Sequence, residues 1–141
     1  MNEKELTENE KKKEYLRSYR KSIRREKQIL EEIQKLRLDK MFPSIVNDGM
    51  PGGSSQKDLS DYAVIIDELI QELKEERLKR AERRKRIESS IHNLDNEDEQ
   101  EVLRLRYIQG MKWEEVAVKI GYCLKQTHRI HSDALKNIKM T

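Results

Sequence analysis

Cys123, His128 and His131 fall within nine residues of a 141-residue chain that has no other cysteine and only one other histidine. These residue types suit a zinc ion or a reactive thiol. Their spacing suits neither. His128 and His131 are three apart and can share one side of a helix, but structural zinc normally takes four ligands. A fourth is missing, and Cys123 belongs at a helix start rather than in a metal knuckle. A helix N-terminus lowers a thiol pKa, yet no base or oxyanion pocket accompanies Cys123. Glu114 and Glu115 are not an acid/base pair, because neighbours on a helix point about 100° apart. The expectation is no enzyme, no metal and no cofactor.

Another chemistry fits the same stretch. Lys125, Arg129, Ser132 and Lys136 fall on one side of a helix, while Thr127, Ile130, Ala134 and Ile138 recur on the other. Gln126 and His128 sit on the two shoulders, and His131 projects inward. Lys and Arg can donate to guanine O6 and N7, and Gln can pair with adenine, in the major groove of a duplex. Lys125, Gln126, His128 and Arg129 are therefore candidate base contacts. Lys112, Ser132 and Lys136 are candidate phosphate contacts, which position a protein without reading sequence.

These side chains need a scaffold of short helices, and the punctuation supplies one. Asp95 or Asn96 can cap a first helix, whose buried surface comes from Val102, Leu103, Leu105, Tyr107 and Ile108. Gly110 ends it. A second helix starts at Trp113, with Lys112 at the cap. Met111 and Val116 have hydrophobic-staple spacing, and Glu115 takes the capping-box position. Gly121 stops this helix after barely two turns. Cys123 then caps the third, with Gln126 in the capping-box position. Two short helices joined by a tight glycine turn, with the small Ala117 in the first, describe a helix-turn-helix. Trp113 covers the seam between them. Arg106 is open to two readings, a phosphate contact or a pair with Glu115.

The rest of the chain reads as long helices. Charged residues make up 40% of the sequence, hydrophobic residues only 35%, and there is one Phe. That composition suits extended exposed helices rather than a thick core. From about Glu8 to Lys40, Leu16, Tyr19, Ile23, Leu30 and Ile33 recur at three-four spacing, with Glu26 in the stripe. Ile29, Leu36 and Leu38 widen it. Residues 41–58 hold both prolines and three glycines and read as a loop. From about Leu59 to His92, Tyr62, Ile66, Leu69 and Leu73 form a second stripe, with Asp58 or Ser60 as its cap. The charge run at residues 74–86 reads as a solvated face held by pairs such as Glu75–Lys79. The two long helices can pair as an antiparallel hairpin or as a coiled coil, in a homodimer or a higher oligomer. The sequence expectation is an all-α chain in three parts. Residues 1–58 are a long helix and loop, 59–92 a second long helix, and 93–141 a three-helix helix-turn-helix domain. No apolar run approaches the roughly 18 residues of a membrane span, and nothing resembles a signal peptide, so a cytoplasmic location is expected.

Residues 94–138, LDNEDEQEVLRLRYIQGMKWEEVAVKIGYCLKQTHRIHSDALKNI, resemble region four of bacterial sigma factors. They are similar, more closely, to the ArpU/RinA-type transcriptional regulators of phages and prophages of Gram-positive bacteria. The resemblance is carried by Leu103–Tyr107, Gly110, Trp113–Ala117, Ile120–Tyr122, Arg129–His131, Ala134 and Leu135. Residues 50–62 also resemble the proline-glycine linker of such proteins. The resemblance implies double-stranded DNA as partner, RNA polymerase as a further one, and regulation of phage late genes. Three residues depart from the pattern: Lys112 and Cys123 replace hydroxyl caps, and Thr127 replaces an inner Val or Ile. Two other classes share these features. A phage small-terminase-like packaging protein joins a DNA-binding helical module to an oligomerising one. A coiled-coil interaction protein can keep a helix-turn-helix for packing alone.

Overall fold

The computed structural model describes residues 3–41 and 55–140, with side chains over 7–40 and 59–140. Among them all regular structure is helical. α1 is Glu3–Met41 and α2 is Ser55–His92. α3, Glu97–Leu103, runs on into a π-helical turn at Arg104–Ile108. α4 is Trp113–Ile120 and α5 is Leu124–Asn137. Most of the loop expected over 41–58 lies outside the described residues. Where the two overlap, Met41 and residues 55–58 are helical. α2 therefore starts ahead of Asp58 and Ser60, which do not cap it.

The chain divides into two compact units that cut across the long helices. One comprises Met1–Ser22 with Arg80–Thr141, the other Ile23–Lys79. In the second unit Ile29 and Ile33 of α1 meet Ile66, Leu69 and Leu73 of α2, flanked by Leu36 and Ile70. Arg25 pairs with Glu72, and Arg77 lies 3.5 Å from the buried Glu26. The seam takes Ile29, and Leu30 faces solvent at 38% exposure. From Glu26 the three-four rule allows either residue, and the partner helix selects Ile29.

In the first unit α1 and α2 again run antiparallel. The hydroxyls of Tyr15 and Ser90 share a hydrogen bond of 2.9 Å, and Arg83 donates to Ser22 Oγ. Leu16, Tyr19, Ile87 and Ile91 are buried. The short helices build a core of Val102, Leu105, Val116 and Ile130, with Met111, Trp113 and Ile120 packed against it. Asn96, not Asp95, caps α3: its Oδ1 accepts from the Glu99 amide at 3.1 Å.

The π-helical turn falls in a stretch of dense burial. Val102, Leu103, Leu105 and Tyr107 are all buried. At 100° per residue they would span more than half of a regular helix. An i→i+5 bond, Gln109 N–H to Arg104 C=O at 3.0 Å, marks a widened turn there, within which Leu105 and Tyr107 are buried. Ile108 is left half-buried.

Two glycines set the corners. Gly110 has φ 71° and Gly121 has φ 79°. A side chain in that left-handed region costs about 1–2 kcal/mol. A Cβ at Gly121 would meet nothing within 4 Å, whereas one at Gly110 would lie 2.5 Å from the Arg20 guanidinium. Chemical denaturation should show Gly121→Ala losing about 1–2 kcal/mol. Gly110→Ala should lose at least as much, because Arg20 must also move.

Candidate nucleic-acid interface

α4 and α5 form the two arms of the helix-turn-helix. α4 starts at Lys112, whose backbone is extended and whose side chain makes no cap bond. The Val116 amide bonds to the Lys112 carbonyl at 3.0 Å, closing the first turn. Gly121, in the left-handed conformation, ends α4, and its N–H reaches the Ala117 carbonyl. Cys123 caps α5: the Gln126 amide donates to its Sγ at 3.4 Å. Sulfur is a weak acceptor, so this cap is poorer than a serine would give.

The inner face of α5 holds Thr127, Ile130, His131, Ala134 and Leu135, all buried. Thr127 is fully buried, where the resemblance expects Val or Ile. Its hydroxyl donates to the Cys123 carbonyl at 2.9 Å. That bond offsets the cost of burying an oxygen. His131 and the Tyr107 hydroxyl share a buried hydrogen bond of 2.8 Å. Trp113 meets His131 edge-on with ring centroids 4.6 Å apart. The Arg106 guanidinium lies 4.8 Å over the Trp113 ring and donates to the Met111 carbonyl at 2.9 Å. Arg106 thus braces Trp113 and the Met111 carbonyl rather than pairing with Glu115.

Burial pushes the His131 pKa down to about 4, helped by the positive charges of Lys13, His128, Arg106 and Arg17. The imidazole is therefore neutral in the fold at neutral pH. The Tyr107 phenol is pushed up, again by burial first, with Arg17 and Arg106 opposing.

On the outer face Lys125, Arg129, Ser132 and Lys136 are all exposed, in one row at four-three-four spacing. Lys112 is exposed at the start of α4, and Gln126 is half-buried. His128 is exposed, yet its ring sits 4.8 Å from Trp113, so the tryptophan restrains it. The structure therefore brings Lys125, Arg129, Ser132 and Lys136 together as one row. Gln126 and His128 border it, and Lys112 belongs to the other arm.

Three contacts that hold this row had no signal in the sequence. Lys12 of α1 donates to the Leu135 carbonyl at 2.7 Å and to the Lys136 carbonyl at 3.3 Å. A cation at the C-terminal end of α5 also suits its macrodipole. Asn137 donates to the buried Glu99 at 2.9 Å, tying α5 to α3. The Tyr122 hydroxyl donates to Asp98 at 2.8 Å. Each pair is separated by 24 residues or more, and no local pattern announces it. Among the described residues, no group of three or more His, Cys, Asp or Glu is placed to hold a metal ion. No helix among them is long and apolar enough to cross a membrane.

Residues 96–140 match the family Sigma-70, region 4. This part of the chain is thus a sigma-region-4-like helix-turn-helix. Searches of curated proteins and of solved structures gave no match.

Replacing Cys123 or Lys112 with serine should raise the melting temperature, since an oxygen cap contributes about 0.5–2 kcal/mol. A fall in both variants would contradict the capping roles. The histidine gives a pH prediction. Its pKa is about 4 folded and about 6.5 unfolded, so between those values the unfolded chain binds more protons. Stability should therefore fall as pH drops from about 6.5 through about 4, by at most about 1.4 kcal/mol per unit from this group. Thermal melts across that range should show a shallower slope for His131→Gln.

Proposed function

We propose that this chain binds double-stranded DNA by laying α5 in the major groove, and that it regulates transcription in a phage or prophage setting. The observation that carries this is the exposed row Lys125, Arg129, Ser132 and Lys136 on a helix whose other face is locked into a helix-turn-helix. The match to the Sigma-70, region 4 family supports it. So does the geometry, since such an element enters the groove with its first turns against base edges. Lys125 and Arg129 lie toward that end, and Lys136 lies in the last turn. Lys125 and Arg129 thus take the base-reading role and Lys136, Ser132 and Lys112 the phosphate role. Gln126 and His128 flank the reading row, with His128 steadied by Trp113. The role is binding rather than catalysis. Cys123 spends its sulfur on a backbone amide, and the His131 nitrogen is engaged by Tyr107. RNA polymerase is the further partner this reading implies.

The test is selection of duplexes from random DNA, followed by binding titrations at several salt concentrations. Affinity should fall steeply with salt, as phosphate neutralisation requires. Arg129→Ala should cost about 1–3 kcal/mol and relax the preference at one base position. Lys136→Ala should weaken all duplexes alike and reduce the salt slope by about one. Binding that ignores salt, or no binding, would reject the reading.

A further inference from the structure

From Leu59 to Leu73, α2 is apolar at nine of fifteen positions. Only Ile66, Leu69 and Leu73 of these are buried, all against α1. Tyr62, Ala63 and Ile70 are half-buried. Leu59, Val64 and Ile65 remain 36%, 55% and 43% exposed. Ile65 and Ala63 stand about 160° apart across the buried stripe. Ser60, Asp61, Asp67, Glu68, Gln71 and Glu72 hold the opposite side, with Val64 among them. The one partner helix leaves Leu59 and Ile65, toward the two edges of the apolar arc, partly uncovered. α1 has its own uncovered residues in the same unit, Leu30 at 38% and Leu38 at 57% exposure. The unit thus leaves large apolar side chains of both helices in water.

The charges say what covers them. Residues 23–41 of α1 carry six Lys/Arg against four Asp/Glu, a net +2. Residues 55–79 of α2 carry four against seven, a net −3. Within the unit this difference is already used, in the pairs Arg25–Glu72 and Arg77–Glu26. The surface that complements an acidic, apolar α2 is a basic, apolar α1, and each copy of the chain brings both.

We propose that the Ile23–Lys79 unit is a homodimer interface. Two copies pack about a two-fold axis, so that α1 of each lies beside α2 of the other. A two-fold axis makes one patch complementary to itself. It turns two exposed helix pairs into a four-helix bundle with a shared core. The interface lies in the unit that lacks α5, so it stands or falls separately from the DNA reading.

The experiment is sedimentation velocity of the full chain, without DNA, from low to high micromolar concentration. The expected species has twice the chain mass. Val64→Lys with Ile65→Lys changes only side chains that already face water, so the helical circular-dichroism signal should persist while the dimer is lost. A charge exchange gives an independent reading. Asp61→Lys with Asp67→Lys should weaken the dimer by about tenfold or more, because like charges then face each other. Mixing that variant with Arg24→Glu plus Lys27→Glu should restore a species of dimer mass. A monomer throughout the concentration range, an assembly larger than two, or a dimer indifferent to both pairs of substitutions would overturn the proposal.

Discussion

The hydrogen bond between His131 and the Tyr107 hydroxyl is the constraint around which the helix-turn-helix is arranged. Both groups are buried, and a buried polar group without a partner costs about 1–3 kcal/mol. Tyr107 lies four residues after Leu103, on the same inward side of the helix, and is buried with Val102, Leu103 and Leu105. His131 can accept that position only as a neutral ring, and its depressed pKa keeps it neutral at neutral pH. Trp113 closes over the pair, and Arg106 closes over Trp113. The first arm of the motif, the second arm and the turn before them are thus fixed by one polar contact and the rings stacked on it.

A module this small has little apolar surface to spend, and its helix ends show it. α4 starts on a lysine that makes no cap bond, and α5 starts on a sulfur acceptor. Compensation comes from outside the motif. Lys12 of α1 bonds to the last carbonyls of α5, and Arg20 of α1 lies against Gly110. Asn137 and Glu99 fasten the same end of α5 to α3. The first turns of α1 therefore belong to the same compact unit as the helix-turn-helix. They hold the end of α5 while leaving its Lys/Arg row free.

The long helices each serve both units, and their two portions differ in character. Residues 80–92 of α2 bury Ile87 and Ile91 beside hydroxyl and guanidinium contacts to α1. Residues 59–73 are far more apolar and only partly covered. The seam thus joins buried apolar residues to hydroxyl and guanidinium contacts in the first portion, and to the ion pairs Arg25–Glu72 and Arg77–Glu26 at the second.

The sequence alone determined the all-helical class, the two long helices and the positions of α4 and α5, because glycine turns and three-four spacing act within a few residues. Gly110 and Gly121 mark their corners by conformational freedom that no tertiary contact is needed to explain. The exposed row on α5 was equally legible, since burying Ile130 and Ala134 leaves Arg129 and Ser132 outside. Tertiary structure decided what depends on distant partners. It chose Ile29 over Leu30 for the seam, because only the facing helix distinguishes two residues the spacing permits. It placed Arg106 on Trp113 rather than on Glu115, and it brought Lys12 to α5 across more than a hundred residues. It also widened the helix at Arg104–Ile108, where Leu105 and Tyr107 are buried. Local pattern fixes which face of a helix is apolar. Only packing fixes what that face meets.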